Sequence, residues 1–443
     1  MPRLFGTDGI RGVANVDLKP TLAYALGRAT AHRLVGAGGS LVVGQDTRRS
    51  GDMFVAAIAA GASSLGADVH VVGVVPTPAL AFLAGSGPFA AGIMVSASHN
   101  PADDNGLKVL DGNGLKLDDA VEDELEQLIW TADDLGGATN AGLGLIIARP
   151  DLVGEYRAHR LNLAGSVHAD RLRLVLDGAN GSGSTLGPEI LRATGATVRS
   201  IHVEPDGINI NVRSGATDPS SLAEAVVAQG ADVGFALDGD ADRLIAVDAS
   251  GHVVDGDQIL GILALDRLSR GVLPGGVVVS VLSNGGLQAA VEAAGGQVVR
   301  TPVGDKYILE GMQVSGARLG GEKSGHVIDL DHTTSGDGIV TALEVLRVMT
   351  EAGSGLDVLA ARIPMLPQQQ RAVKARHKDQ WEADRALQTA IADAAARLGT
   401  TGRVLVRPSG TEPALRVMVE GPDAALVTEL ADALATLAGE RLN

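Results

Sequence analysis

The 443-residue chain contains no cysteine, which excludes disulfides, thiolate metal sites and a cysteine nucleophile. Any metal ion must therefore be held by oxygen or imidazole. Aromatic residues are scarce as well: two Trp, three Tyr and five Phe leave little material for base-stacking platforms. Positive charge is in deficit, and a formal net charge of -17 argues against non-specific binding to nucleic acid. Long hydrophobic runs are missing too. The longest, near Ile259 to Leu265, falls far short of the roughly 20 residues that span a bilayer, and Met1 to Gly9 holds no apolar signal core. These absences predict a cytoplasmic protein with no membrane or nucleic-acid partner.

What is abundant points to an enzyme-sized α/β protein. Hydrophobic content of 45% with 20% charged residues fits a globular chain, and 59 glycines suit close-packed layers with short turns. At this length the chain should divide into about two to four domains. Three segments share one plan of apolar strand, turn, Ala/Leu-rich helix, glycine stop and second β-branched strand. They start at Leu41, Leu172 and Gly276, with helices expected over about 53–65, 188–193 and the stretch after Val279. These predict right-handed βαβ crossovers in mixed or parallel sheets. The stretch from about Gln368 reads as a smaller α+β domain, with a long helical stretch, two strands around 403–406 and 415–420, and a closing helix. The expected domains are 1–150, 151–249, 250–366 and 367–443.

Each repeat is followed by one polar loop. The first leads to Val95-Ser96-Ala97-Ser98-His99-Asn100-Pro101, the second to Asp238-Gly239-Asp240-Ala241-Asp242-Arg243, and the third to Gly321-Glu322-Lys323-Ser324-Gly325-His326. Ligands of open α/β sheets collect at the carboxyl ends of strands, so three related units facing one crevice would bring these loops together. Ser98 has small neighbours that leave its hydroxyl accessible, and the setting suits a phosphorylated nucleophile better than a turn serine. A phosphate there adds about -1.5 to -2 charges, which calls for a cation and basic groups. Asp238, Asp240 and Asp242, spaced two apart, can turn onto one hard cation, where solvated loop acids are the alternative. An EF-hand is excluded, because Arg243 replaces its glycine and Ala249 its final glutamate, so Mg²⁺ fits better than Ca²⁺.

In the third loop Glu322 and Ser324 can grip sugar hydroxyls or an amine. His326 and Lys108 are competing candidates for acid/base work. Arg407-Pro408-Ser409-Gly410-Thr411 offers a guanidinium fork, two hydroxyls and a glycine amide for a non-reacting phosphate, with a surface turn as the alternative. Arg11, Lys108, Arg243, Lys306, Lys323, Arg407 and Arg416 lie in or beside the motif loops and would reverse the local sign of charge. Two glycine-rich stretches are decoys. Gly178 to Gly187 breaks the dinucleotide spacing at Leu186, and Gly320 to Ser324 lacks the glycine that precedes the lysine of a nucleotide-binding P-loop.

Taken in order, Phe5-Gly6-Thr7-Asp8-Gly9-Ile10-Arg11-Gly12, the Ser98 loop, the aspartate loop, Gly304-Asp305-Lys306-Tyr307, the Gly321 to His326 loop and Ser409-Gly410-Thr411-Glu412-Pro413 with Arg416 to Glu420 closely resemble the α-D-phosphohexomutase family over essentially the whole chain. The resemblance implies three α/β domains and a C-terminal domain of another fold around a central cleft. It implies that Ser98 is phosphorylated and that Asp238, Asp240, Asp242 and a phosphoserine oxygen bind one Mg²⁺. Arg11, Lys108 and Arg243 would surround the reacting phosphate, Glu322 and Ser324 the sugar, and Arg407, Ser409, Gly410 and Thr411 the distal phosphate, with Lys306 and His326 also in the cleft. The implied reaction interconverts the 6- and 1-phosphates of glucosamine through a sugar 1,6-bisphosphate, with glucose or mannose phosphates as alternative substrates and a monomer or homodimer as the assembly. Ala241 stands where many relatives have glycine. An ordinary backbone conformation is expected there, since a left-handed one costs an alanine about 1 to 2 kcal/mol.

Overall fold

The computed structural model describes residues 3–6, 8–409 and 413–443. The described chain forms two compact units, one of residues 1–281 and 296–362 and the other of residues 282–295 and 363–443.

The first unit contains three sheets built on a common plan. The largest runs in the order Ile10–Val13, Asp104–Asp111, Ala91–Val95, Ser40–Gln45, Asp68–Val74, Ile146–Ala148. Its last four strands are mutually parallel, and Asp104–Asp111 is antiparallel to both its neighbours. The second sheet runs Val253–Val254, Leu244–Asp248, Val233–Leu237, Arg173–Asp177, Thr197–Ile201, and the third Val298–Thr301, Val277–Ser280, Leu319–Gly321, Val327–Asp329. Parallel strands make up the body of each, and the strand after the polar loop runs back antiparallel. Every polar loop therefore joins the last parallel strand to an antiparallel neighbour. Val95 pairs with Leu107, Leu237 with Leu244 and Gly321 with Val327.

The strands before the first two loops, Ala91–Val95 and Val233–Leu237, are buried at all five positions, as expected for sheets covered on both faces. Helix Gly51–Ser63 starts two residues earlier than expected and packs on Pro20–Thr30 through glycine. A Cβ on Gly27 would lie 2.2 Å from the Ile58 carbonyl and one on Gly61 2.1 Å from that of Tyr24, so both positions need glycine for the helices to approach. Aspartates start several helices: Asp118, Asp255 and Asp337 accept from the first-turn amides of Asp119–Trp130, Gly256–Ser269 and Gly338–Ala352.

The second unit carries a three-stranded antiparallel sheet in the order Gln368–Lys374, Ala414–Glu420, Arg403–Pro408, packed with helices Arg385–Leu398 and Ala424–Leu442. Strand Gln368–Lys374 corrects the expectation of two strands here. Its polar residues hide the alternation, but all seven of its positions pair with Ala414–Glu420. Among the described residues no helix is long and apolar enough to cross a membrane.

Candidate active site

The three loops of the first unit meet. Ser98 Oγ donates to Asp238 Oδ2 at 2.6 Å, Leu244 N to the Gly325 carbonyl at 2.9 Å, and Gly256 N to that of Lys323 at 3.0 Å. Ser98, Asp238 and Asp240 are fully buried, and Asp242 and Lys108 nearly so.

Two non-glycine backbone positions in these loops are left-handed, Ser98 at φ 51° and Ala241 at φ 58°. The latter overturns the expected ordinary conformation of Ala241. The turn is over-determined from both sides: Ala241 N donates to the Asp238 carbonyl at 3.0 Å, Gly338 N donates to the Ala241 carbonyl at 3.0 Å, and the methyl is buried. These contacts hold the alanine in a conformation that glycine would enter freely. The turn lets Asp242 N and Arg243 N both donate to Asp238 Oδ1, at 3.1 and 3.2 Å.

Carboxylate oxygens of Asp238, Asp240 and Asp242 lie within 4.8 Å of one another. Asp240 Oδ1 and Asp242 Oδ1 are buried without a hydrogen-bond partner, although Asp242 Oδ1 is 3.7 Å from Arg243 and 3.6 Å from His326. An all-oxygen set with two such orphaned atoms beside a serine hydroxyl fits a small hard cation such as Mg²⁺. Burial, then Asp242 and Asp240, push the Asp238 carboxyl well above the usual range. Burial also pushes Asp242 upward, but His326, Lys108 and Arg243 together hold it well below.

Cations surround the acids. Lys108 Nζ is 2.8 Å from Asp240, 3.1 Å from Asp8 and 3.8 Å from Asp242. Burial disfavours its charge, yet these three carboxylates hold it as an ammonium with its pKa raised. Arg11 donates to Asn100 Oδ1 at 3.2 Å and to Asp8, and Arg243 Nε stands 3.9 Å from Asp238. His99 Nδ1 is 3.4 Å from Ser98 Oγ, and burial followed by Arg243 and Arg11 lowers its pKa to about 4. His326 is buried, with Nδ1 3.6 Å from Asp242 and Nε2 3.5 Å from Asp305, while Gly336 N donates to Nε2 at 3.2 Å. Burial lowers its pKa, but the two carboxylates outweigh this and leave it raised.

Of the expected sugar ligands, Glu322 Oε1 accepts from Gly304 N at 3.1 Å, and Ser324 Oγ is buried without a partner. Lys306 is bound by Asp119 and Glu122 and lines a small pocket shared with Lys108, Lys116, Asp242, Asp305 and His326. In the second unit, Arg407 lies in strand Arg403–Pro408, and Ser409 N donates to the Ala414 carbonyl at 2.8 Å. Gly410 and Thr411 lie outside the described residues.

Several groups were missed in the sequence. Asp46 and Arg48 follow the carboxyl end of strand Ser40–Gln45, which was the available signal. Arg48 binds four carbonyls of the serine loop region, and Ser96 Oγ donates to Asp46 Oδ2 at 2.7 Å. Asn211 donates to the same loop. Thr77 Oγ1 donates to Asp240 Oδ2 at 2.6 Å, and Lys116 bridges Asp8 and Asp305.

Four family profiles match in succession: phosphoglucomutase/phosphomannomutase domain I over residues 2–135, domain II over 155–251, domain III over 255–365 and the C-terminal domain over 370–437. The chain is 52% identical over 427 residues to a phosphoglucosamine mutase of Moorella thermoacetica, covering 96% of each chain. It is 48% identical to that of Symbiobacterium thermophilum, covering 98% of each. Among solved structures it is similar to a phosphoglucomutase/phosphomannomutase family protein from Burkholderia thailandensis, with TM-score 0.84 and 27% identity over 100% of this chain and 99% of that one. The fold is shared with an Aspergillus fumigatus N-acetylphosphoglucosamine mutase, with TM-score 0.72 and 19% identity over 100% of this chain and 96% of that one.

Proposed function

The chain belongs to the phosphoglucomutase/phosphomannomutase family of phosphohexomutases, and on that premise we propose that it interconverts glucosamine 6-phosphate and α-glucosamine 1-phosphate through phosphorylated Ser98 and a sugar 1,6-bisphosphate. The observation that carries this reading is Ser98 Oγ at 2.6 Å from Asp238, beside two carboxylate oxygens without partners and the buried Lys108 ammonium. The choice of glucosamine follows the activity named for the Moorella and Symbiobacterium relatives.

In the forward half-reaction a sugar hydroxyl oxygen attacks the phosphorus carried by Ser98. A new O–P bond forms as the Oγ–P bond breaks, the hydroxyl proton passes to a basic group of the site, and Ser98 Oγ regains a proton. The bisphosphate turns over in the site, and Ser98 Oγ attacks its other phosphorus, so no external phosphate donor is consumed. Asp238, Asp240 and Asp242 would hold Mg²⁺ with an oxygen of the phosphoserine; the ion would neutralise charge on the transferring group. Lys108, Arg11 and Arg243 supply fixed positive charge around it, an arrangement that needs no reorganisation during transfer. Lys108, with its Nζ 2.8 Å from Asp240, and the buried His326 are the two candidates for the group that takes and returns the hydroxyl proton. Glu322, Ser324 and Lys306 would hold the sugar. Arg407, Ser409, Gly410 and Thr411 would hold the phosphate that is not reacting. A soluble cytoplasmic enzyme acting as a monomer or homodimer fits this reading.

³¹P NMR of the Mg²⁺-loaded protein with a trace of bisphosphate and separate glucosamine, glucose and mannose phosphates tests it. Rapid exchange between positions 1 and 6 on glucosamine phosphate is expected. Equal rates on all three sugars would contradict the glucosamine assignment, and no exchange on any would contradict the mutase reading.

A further inference from the structure

Ser98 must present one oxygen to phosphorus twice per cycle, from a left-handed backbone that a serine does not favour. The contacts on that backbone are concentrated on two carbonyls. The Ser98 carbonyl accepts from Arg48 Nη2 at 3.0 Å and from Asn211 Nδ2 at 2.9 Å. The Asn100 carbonyl accepts from the same two nitrogens, at 2.8 and 3.0 Å. Arg48 and Asn211 approach from different sheets, one after strand Ser40–Gln45 and the other from the segment following Thr197–Ile201.

Both donors are themselves fixed. Arg48 is 2% exposed; its Nε bonds Asp46 Oδ2 at 2.9 Å, and its Nη1 reaches the carbonyls of Asp104, at 2.9 Å, and Pro101. Asp46 Oδ2 also accepts from Ser96 Oγ, which accepts from Ser98 N at 2.9 Å. Asn211 is left-handed at φ 59°, and its backbone N donates to the Ala179 carbonyl at 2.9 Å. Gly239 closes the third side, since a Cβ there would lie 2.5 Å from the Ser98 carbonyl.

We propose that Arg48 and Asn211 are positioning residues for phosphoryl transfer: by gripping the carbonyls of Ser98 and Asn100 from two domains, they fix the Ser98 hydroxyl in register with the three aspartates. This rests on the reading of Ser98 as the phosphorylated nucleophile. Neither residue touches the reacting atoms. Their effect is geometric, and a displacement of about 1 Å in such a site lowers turnover on the order of 10²-fold.

The test uses Asn211→Ala and Arg48→Lys in the full-length protein with Mg²⁺ and bisphosphate primer, with kcat and KM for glucosamine 6-phosphate and the Ser98 phosphate content by intact mass. Asn211→Ala is expected to fold, keep its phosphate and lose about 10²-fold in kcat with KM within about threefold. Arg48→Lys retains charge but loses the fork, so it should fall similarly, and the double variant should fall by less than the product of the two because both grip the same carbonyls. Folded Asn211→Ala with wild-type kcat, or with the loss wholly in KM, would overturn the proposal. An inactive wild-type protein without phosphate on Ser98 would contradict the serine reading itself and the clamp with it, whereas an active wild type beside an unimpaired Asn211→Ala contradicts the clamp alone.

Discussion

Ser98 Oγ bonds Asp238 Oδ2 at 2.6 Å across 140 positions of sequence, so the hydroxyl of one domain is seated on the acid cluster of the next. Asp238, Asp240 and Asp242 repel one another in the absence of a cation, and a divalent ion that binds only the folded arrangement stabilises it. At about 100 times its Kd such an ion adds roughly 2.7 kcal/mol. Chelation should abolish isomerisation and lower the thermal midpoint, and added Mg²⁺ should restore both. An unchanged midpoint on chelation would show that the cluster holds no ion.

Gly239→Ala should impair turnover, because its Cβ meets the Ser98 carbonyl at 2.5 Å and overpacking of this kind costs about 1 to 3 kcal/mol. Ala241→Gly makes the opposite kind of change. Relief of about 1 to 2 kcal/mol of left-handed strain is offset by a lost buried methyl and a freer unfolded chain, leaving stability within about 1 kcal/mol of wild type. Kinetics and urea unfolding of the two variants check the contrast.

Asp337 is bound by Tyr156 at 2.9 Å and Arg160 at 3.1 Å, all three fully buried or nearly so, and it also caps helix Gly338–Ala352. Asp337→Ala would leave the Arg160 charge buried without its carboxylate and is expected to destabilise by about 3 to 5 kcal/mol. Denaturant unfolding measures this. A loss below about 1 kcal/mol would mean that Arg160 finds another partner.

Burial raises the Asp177 carboxyl above its ordinary value near 3.8, against the lowering influence of two backbone amides and His202. The folded state therefore holds this proton more tightly than the unfolded chain. Its contribution to stability declines as pH rises from about 3.8 through the folded value and is flat above that. Relative to wild type, Asp177→Asn should lose this decline, so that the difference in thermal midpoint between the two proteins changes only within that acidic window.

The serine and aspartate loops were legible because their chemistry is local: the residues that act are neighbours at the end of an apolar strand. The repeat pattern also predicted that such loops would meet. The roles of Arg48 and Asn211 were not legible, because both act on backbone carbonyls 50 and more positions away; Arg48 carries only the signal of its place after a strand end, and Asn211 not even that. The conformation of Ala241 went against local propensity because its hydrogen bonds to the Asp238 carbonyl and from Gly338 N outweigh it. Strand Gln368–Lys374 was hidden by its polar composition and is held by pairing along its full length.

Every role assigned to the site depends on a phosphoryl group travelling through Ser98. The direct measurement is a single-turnover transfer from protein carrying ³²P-phosphate to unlabelled glucosamine 6-phosphate, with the protein-bound label mapped by peptide analysis. Label on Ser98 that passes to sugar bisphosphate and then to monophosphate is expected, with none in Ser98→Ala. Label on Asp238, or label on Ser98 that never reaches the sugar, would contradict it.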